Sequence, residues 1–502
     1  MTTSSTERRP AGADASALRV ETNGIEVIPD EQRHGRPWQL FWPWFGSNVS
    51  IFGLAYGSYA LGFGISFWQA LLAGVLGIVV SFLLCGLVAV AGKRGSAPTL
   101  VLSRAAFGVR SNRVPALLSW VLTVGWETVL VILATLATST VFDRLGWGGG
   151  TTTKVVAMIV VAVLTVGAGV FGFDLIMRLQ AVITVVTAAL TVVYIVAVAG
   201  KIHWHTVSSI PSGSAQHMLG ALALFMTGFG LGWVNAAADY SRYLPRRSSG
   251  RGVVGWTTLG GAVAPIALLV FGLLLAGSSP KLNAAIGLDP IGALATELPK
   301  GALVPFLIVA VLGLIGGAVL DIYSSGLSLL AAGLRVPRPA AALIDGLVMV
   351  AGTIYVVFHA PNFSYQFQGL LITLGVPIAA WCGIFLADLA LRRRDYAEAE
   401  LFLPRGRYGD VRVLPLVALA VGTALGWGLV VNTYASWLTW QGYLLSPFGL
   451  GGKTGSWEYA NIGVLVAFVI GFLVTFLADR QRVRRQESLP VEQNVGLLKT
   501  PA

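Results

Sequence analysis

The sequence predicts an all-α integral membrane protein, and three observations carry that reading. Only 11% of its 502 residues are charged and 55% are apolar, with a mean hydropathy of +0.75. A water-soluble domain carries about 25% charged residues. Twelve apolar runs are long enough to cross about 30 Å of hydrocarbon; they centre near Ala55, Leu76, Leu130, Val163, Leu190, Leu224, Leu268, Leu312, Val350, Val376, Ala420 and Val469. Finally, the 34 Lys and Arg are unevenly placed. With the N-terminus inside, only Arg144, Lys154, Lys201, Lys281, Lys300 and Lys453 fall in outer segments. This is the positive-inside bias, and it predicts that both termini are cytoplasmic in a multi-pass protein of the cell membrane. The net charge of +11 is therefore a topology signal and does not call for a nucleic-acid partner.

In chain order, residues 1–37 form a polar cytoplasmic segment without an apolar h-region, so no cleavable signal peptide is expected. Its first twenty residues, rich in Thr, Ser, Ala and Arg, read as disordered, as does the tail from about Glu487. Residues 38–391 hold ten spans and 413–479 two more, with a cytoplasmic linker at 392–412 and a tail at 480–502. The stretch Tyr396-Ala-Glu-Ala-Glu400 gives the linker the look of a solvated loop. Between spans seven and eight, Asp289–Glu297 has helical character and could form an outer lid. Spans one (Gly46-Ser-Asn-Val-Ser-Ile-Phe-Gly53) and six (Gly228-Phe-Gly-Leu-Gly-Trp-Val-Asn235) are the most interrupted. They stand at corresponding places of two five-span halves, the sequence mark of a transporter with inverted repeats and a midplane site. Close helix packing by small residues is the other role such glycines play. Cys85 and Cys382 stand alone in apolar spans, which supports neither a disulfide nor a metal site.

Gly125-Trp126-Glu127 lies in mid-span three. Trp126 is too deep to serve as an interfacial anchor, which leaves core packing or stacking of a flat ligand. In span six, Phe229 and Trp233 are one turn apart and share a face, so either could close a two-sided aromatic sandwich. Glu127 and Asp321 are carboxylates within the bilayer, where a charge is costly without a partner or a polar cavity. Both are proton-exchange candidates, and Glu127 could also accept hydrogen bonds from a ligand. Asp239 and Arg242, spaced i, i+3 at the cytoplasmic end of span six, suggest an inner gate, and Asp174 with Arg178 reads in the same way. The five His (His34, His203, His205, His217 and His359) sit at or near span ends, so no metal cluster or nucleophile–base pair within the bilayer supports an enzyme.

A series of motifs resembles the nucleobase:cation symporter-1 family, in its purine–cytosine permease branch. The series runs Ile25–Phe41, Phe45-Gly-Ser-Asn48, Gly92-Lys-Arg-Gly95, Ser103-Arg-Ala-Ala-Phe-Gly108 and Gly125-Trp-Glu127. It continues with Ala238-Asp-Tyr-Ser-Arg-Tyr243, Tyr323-Ser-Ser-Gly-Leu327 and Gly383-Ile-Phe-Leu-Ala-Asp388. The resemblance implies a LeuT-type fold, with a 5+5 inverted repeat plus two further helices. It also implies a substrate between Trp126 and an aromatic near Phe229–Gly230, with the unwound part of span one (Ser47, Asn48, Ser50) offering polar groups. In span eight, sodium-coupled members carry Asn and Ser or Thr where this chain aligns Gly313, Gly316 and Gly317. That departure favours a proton as the coupling ion. The expected substrate is a nucleobase such as cytosine or a purine; hydantoin, allantoin, thiamine or a pyridine is the alternative. No cofactor and no obligate protein partner are expected.

Overall fold

Inside hydrocarbon each backbone N–H and C=O must find its partner within the protein, so apolar runs of this length can only be helices. The computed structural model describes residues 24–171, 173–360, 363–432, 436–451 and 454–490. The expected disorder of the first twenty residues falls outside these, as do most of the C-terminal tail and the side chain of Asp174. Among the described residues, nine helices are long and apolar enough to cross a membrane, and Gly463–Ala478 with its bent continuation Arg480–Ser488 makes a tenth. The shorter apolar helices Ile51–Leu61 and Val413–Gly428 coincide with expected spans one and eleven. The arrangement is consistent with twelve spans.

Spans two (Phe67–Gly95), three (Arg113–Leu145) and four (Thr151–Phe171) pack against spans seven (Gly250–Ser278), eight (Leu303–Ala331) and nine (Arg338–Phe358) in turn. That pairing is the one two interlocked repeats produce. Span five (Phe173–Val198) lies against spans one and eight, and span ten (Phe363–Leu391) carries spans eleven and twelve. Local sequence sets the helix starts. Ser66 caps span two by accepting the Gln69 N–H at 3.4 Å while the Gln69 amide takes the Ser66 N–H at 3.1 Å.

The two glycine clusters are real breaks. Span one runs as a helix from Phe41 to Asn48, turns extended at Ser50 and resumes at Ala55–Leu61. Span six stops at Gly228; Phe229 leaves helical geometry (φ −125°, ψ −109°), and one turn (Gly230–Trp233) and a further helix (Ala237–Ser241) follow. Gly230 must be glycine because a Cβ there would run into the span-two backbone at Ser81, whose hydroxyl accepts the Gly230 N–H at 3.1 Å.

The segment between spans seven and eight is helical as expected, with Pro290–Thr296 capped by Asp289, which also accepts from Thr140 of span three at 3.0 Å. The 392–412 segment departs from expectation. It is packed rather than solvated: Tyr396, Leu401 and Tyr408 are buried. Its acids look free in sequence but are paired with arginines. Glu398 takes Arg33 at 2.7 Å and Arg246 at 2.8 Å, and Glu400 takes Arg407 at 2.8 Å. Burial pushes the Glu398 carboxyl above the usual carboxylate range, with Arg33 and Arg246 pulling against it. This face carries the basic segments and is termed the basic face below.

At the end of span ten, Arg392 and Asp388 are almost fully buried and meet at 2.6 and 2.8 Å, with Gln486 accepting from the same guanidinium at 2.9 Å. Removing one partner of a buried pair costs about 3–5 kcal/mol. Asp388→Ala is expected to lower unfolding stability by that order in detergent; a loss below about 1 kcal/mol, the range of an exposed pair, would show that the pair is not a structural tie. Gly230→Ala is expected to cost about 1–3 kcal/mol through overpacking, read by the same thermal unfolding, and an unchanged midpoint would contradict the close approach at Ser81.

Candidate functional site

The two breaks face each other across a cavity of about 50 Å³. Span one contributes Ser47, Asn48 and Ser50, span three Trp126 and Leu130, span six Phe229 and Trp233, and span eight Gly313, Gly317 and Asp321. Phe52 and Tyr56 close it from the second half of span one. Ligand pockets for drug-sized molecules start at about 300 Å³, so admission of a ring requires the aromatic walls to part.

The walls are mostly aromatic edges and faces. Tyr56 lies 4.5 Å from Phe229, Trp126 meets Phe367 edge-on at 5.4 Å, and Trp233 meets Trp44 edge-on at 5.7 Å. The indole N–H of Trp126 is buried with no hydrogen-bond partner. On the polar side, the Asn48 amide donates to the Trp44 carbonyl at 2.8 Å and to Ser47 Oγ at 2.9 Å, and Ser50 Oγ accepts the Phe52 N–H at 3.3 Å. The side chains of the break thus satisfy part of the backbone it frees. Asp321 is the sole charged side chain among the lining residues, and neither of its oxygens has a hydrogen-bond partner.

Of the residues expected at the site, Trp126, Phe229, Trp233, Ser47, Asn48, Ser50 and Gly313 come together. Glu127 and Gly230 do not line it. Successive helical residues point about 100° apart. With Trp126 and Leu130, one turn on, facing the cavity, Glu127 faces away and is fully buried. Gly230 serves the contact with span two instead. Asp321, expected only as a proton site, lines the cavity where Glu127 was expected. Asp239 and Arg242 are both buried but turn to separate partners. Asp239 accepts from the Thr99 N–H at 2.8 Å and its hydroxyl at 2.9 Å, while Arg242 donates to the Gly24 carbonyl at 2.9 Å and to Tyr323 Oη at 2.8 Å. They tie the end of span six to the loop after span two and to the N-terminal segment.

One side chain at the site carried no sequence signal. Gln180 of span five lies beside Gly46 in the first helix of span one, and its Nε2 donates to the Gly316 carbonyl of span eight at 2.5 Å. Its Oε1 and Thr184 Oγ1 crowd the space a Cβ on Gly46 would need. Among the described residues no group of three or more His, Cys, Asp or Glu could hold a metal ion.

Comparison with known proteins agrees with this geometry. The chain is 24% identical over 486 residues to a Bacillus subtilis (strain 168) protein named as a candidate purine-cytosine permease, YxlA, covering 94% of this chain and 99% of that one. It is 22% identical over 483 residues to purine-cytosine permease FCY2 of Saccharomyces cerevisiae, covering 90% and 86%. The fold is similar to that of Mhp1, a nucleobase-cation-symport-1 family transporter solved closed with bromovinylhydantoin bound. The TM-score is 0.69 at 17% identity, over 95% of this chain and 97% of that one. A Na+-coupled sialic acid symporter gives a TM-score of 0.59 at 13% identity, over 89% and 91%. A family model described as permease for cytosine/purines, uracil, thiamine, allantoin matches residues 27–445. Spanning most of the chain, that match shows that the protein belongs to this permease family, a branch of the nucleobase:cation symporters: a membrane transporter of LeuT-type fold and not an enzyme.

Proposed function

We propose that this permease imports a nucleobase, cytosine or a purine, across the cell membrane together with a proton. The observation that carries the reading is the cavity itself. A flat, uncharged, hydrogen-bonding ring suits a cavity lined by Trp126, Phe229 and Trp233 together with Asp321, Asn48 and Ser50. Asp321 is suited to accept from a ring N–H or exocyclic amine, and the indole N–H of Trp126 is available to a ring carbonyl or nitrogen. The names of the relatives support the same substrate class. With the basic face in the cytoplasm, as the placement of Lys and Arg favours, rocking of one helix bundle against the other would expose the cavity to each side in turn.

Two features support a proton over sodium. Sodium prefers a cage of hard oxygens, and the glycines of span eight near the break supply no side-chain oxygen. The Gly316 carbonyl is already engaged by Gln180. Two buried carboxylates without hydrogen-bond partners, Glu127 and Asp321, lie close by to exchange a proton.

Base–aromatic stacking is worth about 1–3 kcal/mol, so Trp126→Ala is expected to weaken binding of the transported base by roughly 5- to 150-fold, while Trp126→Phe keeps most of it. Equilibrium binding of labelled cytosine and hypoxanthine to purified protein reads this, and unchanged affinity in the alanine variant would remove the stacking role. Replacing sodium by choline is expected to leave uptake into proteoliposomes unchanged. A large loss in choline would assign the coupling to sodium.

A further inference from the structure

Several arginines of the basic face are held by acids. Arg392 meets Asp388 at 2.6 Å, Arg407 meets Glu400 at 2.8 Å and Arg412 meets Asp479 at 2.7 Å. Arg393, Arg394, Arg480 and Arg484 are not. They are exposed and line a cleft of about 510 Å³ between the end of span ten and the bent end of span twelve. Among the described residues none of these four guanidinium groups is in an ion pair. The one acid in the lining, Glu487, is turned to the backbone. Its Oε1 accepts the N–H of Arg393 and that of Arg394, each at 2.8 Å, and its carbonyl accepts from Arg394 Nη1 at 2.8 Å. Four guanidinium groups thus share one cleft with one carboxylate, which makes it a focus of positive potential.

Local sequence builds this cleft. Span twelve ends at Ala478, and the chain bends by 56° into the helix Arg480–Ser488. One face of that helix is fixed to the segment after span ten. Val483 and Gln486 are buried, Gln486 donates to the Arg407 carbonyl at 3.0 Å and accepts from Arg392 at 2.9 Å, and Arg482 donates to the Tyr408 carbonyl at 2.8 Å. Arg480 and Arg484 are one turn apart and share another face, with Arg480 over the Phe476 ring at 4.6 Å. Arg393 and Arg394 follow directly on the buried Arg392 and supply the facing side. The rest of the lining is apolar: Ala390 and Leu391 at the end of span ten, and Phe476 in the last turn of span twelve. On that same last stretch Leu473 and Leu477 are exposed, as lipid-facing residues are. The cleft therefore straddles the level where hydrocarbon gives way to headgroups, with apolar residues on one side and arginines immediately beyond.

We propose that this cleft binds the headgroup of an anionic phospholipid from the adjoining leaflet. Guanidinium forks match phosphate oxygens two at a time, and a basic pocket between spans at this level suits a lipid phosphate. The apolar lining receives the first carbons of the acyl chains, which a free phosphate lacks. A zwitterionic headgroup fits less well, because its own cation has to stand among four arginines. The bound lipid ties the end of span ten to the helix after span twelve at the protein surface, as the Arg392–Gln486 contact does within. None of the cleft residues lines the central cavity, so the site stands apart from the choice of substrate and of coupling ion.

The test measures lipid binding to the purified full chain in neutral detergent, by mass spectrometry of the intact complex. The probes are dioleoyl phosphatidylglycerol, dioleoyl phosphatidylcholine and glycerol phosphate. The variant Arg393→Gln/Arg484→Gln removes two charges from the cleft; among the described residues neither side chain has a hydrogen bond or ion pair to lose. The control Arg247→Gln/Arg251→Gln removes two exposed charges from the segment after span six, elsewhere on the basic face. Wild-type protein is expected to bind phosphatidylglycerol at least about tenfold more tightly than phosphatidylcholine. The cleft variant is expected to lose at least about tenfold of that affinity, the scale of two arginines beside an anionic lipid, and the control to keep it. Equal losses in the two variants would assign the binding to diffuse attraction by the basic face and overturn the site. Equal affinity for the two lipids would overturn it too. Displacement of phosphatidylglycerol by an equal concentration of glycerol phosphate would make the cleft a small-anion site and overturn the lipid assignment.

Discussion

The structure depends on two places where the backbone leaves the helix within the membrane, at Ser50 in span one and Phe229 in span six. Freed N–H and C=O groups cannot be left to lipid, so each break must be wrapped by protein or open onto a polar cavity. Both solutions are in use. Ser81 takes the Gly230 N–H, Tyr56 Oη donates to the Gly228 carbonyl at 3.3 Å, and Asn48 and Ser47 turn back onto Trp44. What remains between the breaks is the cavity. The pairing of spans two, three and four with seven, eight and nine brings two otherwise distant breaks to the same depth.

Much of this was legible from the chain. The twelve apolar runs follow from hydropathy, and the matched glycine clusters marked the breaks because glycine is what close backbone approach requires, as at Gly230 against Ser81. Trp126 stood out for its depth. The orientation of its neighbour could not be read, because adjacent residues on a helix differ by about 100° and only the packing of span three on span eight decides which one faces inward. Glu127 was therefore expected at the cavity that Asp321 lines. Gln180 was silent for a similar reason, being one polar residue in an apolar run whose partner, the Gly316 carbonyl, is set by tertiary structure. The 392–412 segment looked solvated because Glu398 and Glu400 are charged, and their partners include Arg33 and Arg246, more than a hundred residues away.

Charge is distributed to match these constraints. At the basic face arginines hold the N-terminal segment, the segment after span ten and the end of span six together through Glu398, Asp388, Glu400 and backbone carbonyls. Within the bilayer the pattern reverses: acids stand with few donors, and no arginine or lysine lines the cavity among the described residues. Rigid ties at one face and lightly held acids inside suit a carrier that must keep its scaffold while altering the occupancy of its core.

The most direct test of the account is a structure of the protein with cytosine or hypoxanthine bound. The account predicts the ring against the Trp126 indole, between it and Phe229 or Trp233, with Asp321 at its edge and Glu127 out of contact. A base bound elsewhere, or at the breaks with its ring away from Trp126, would contradict it.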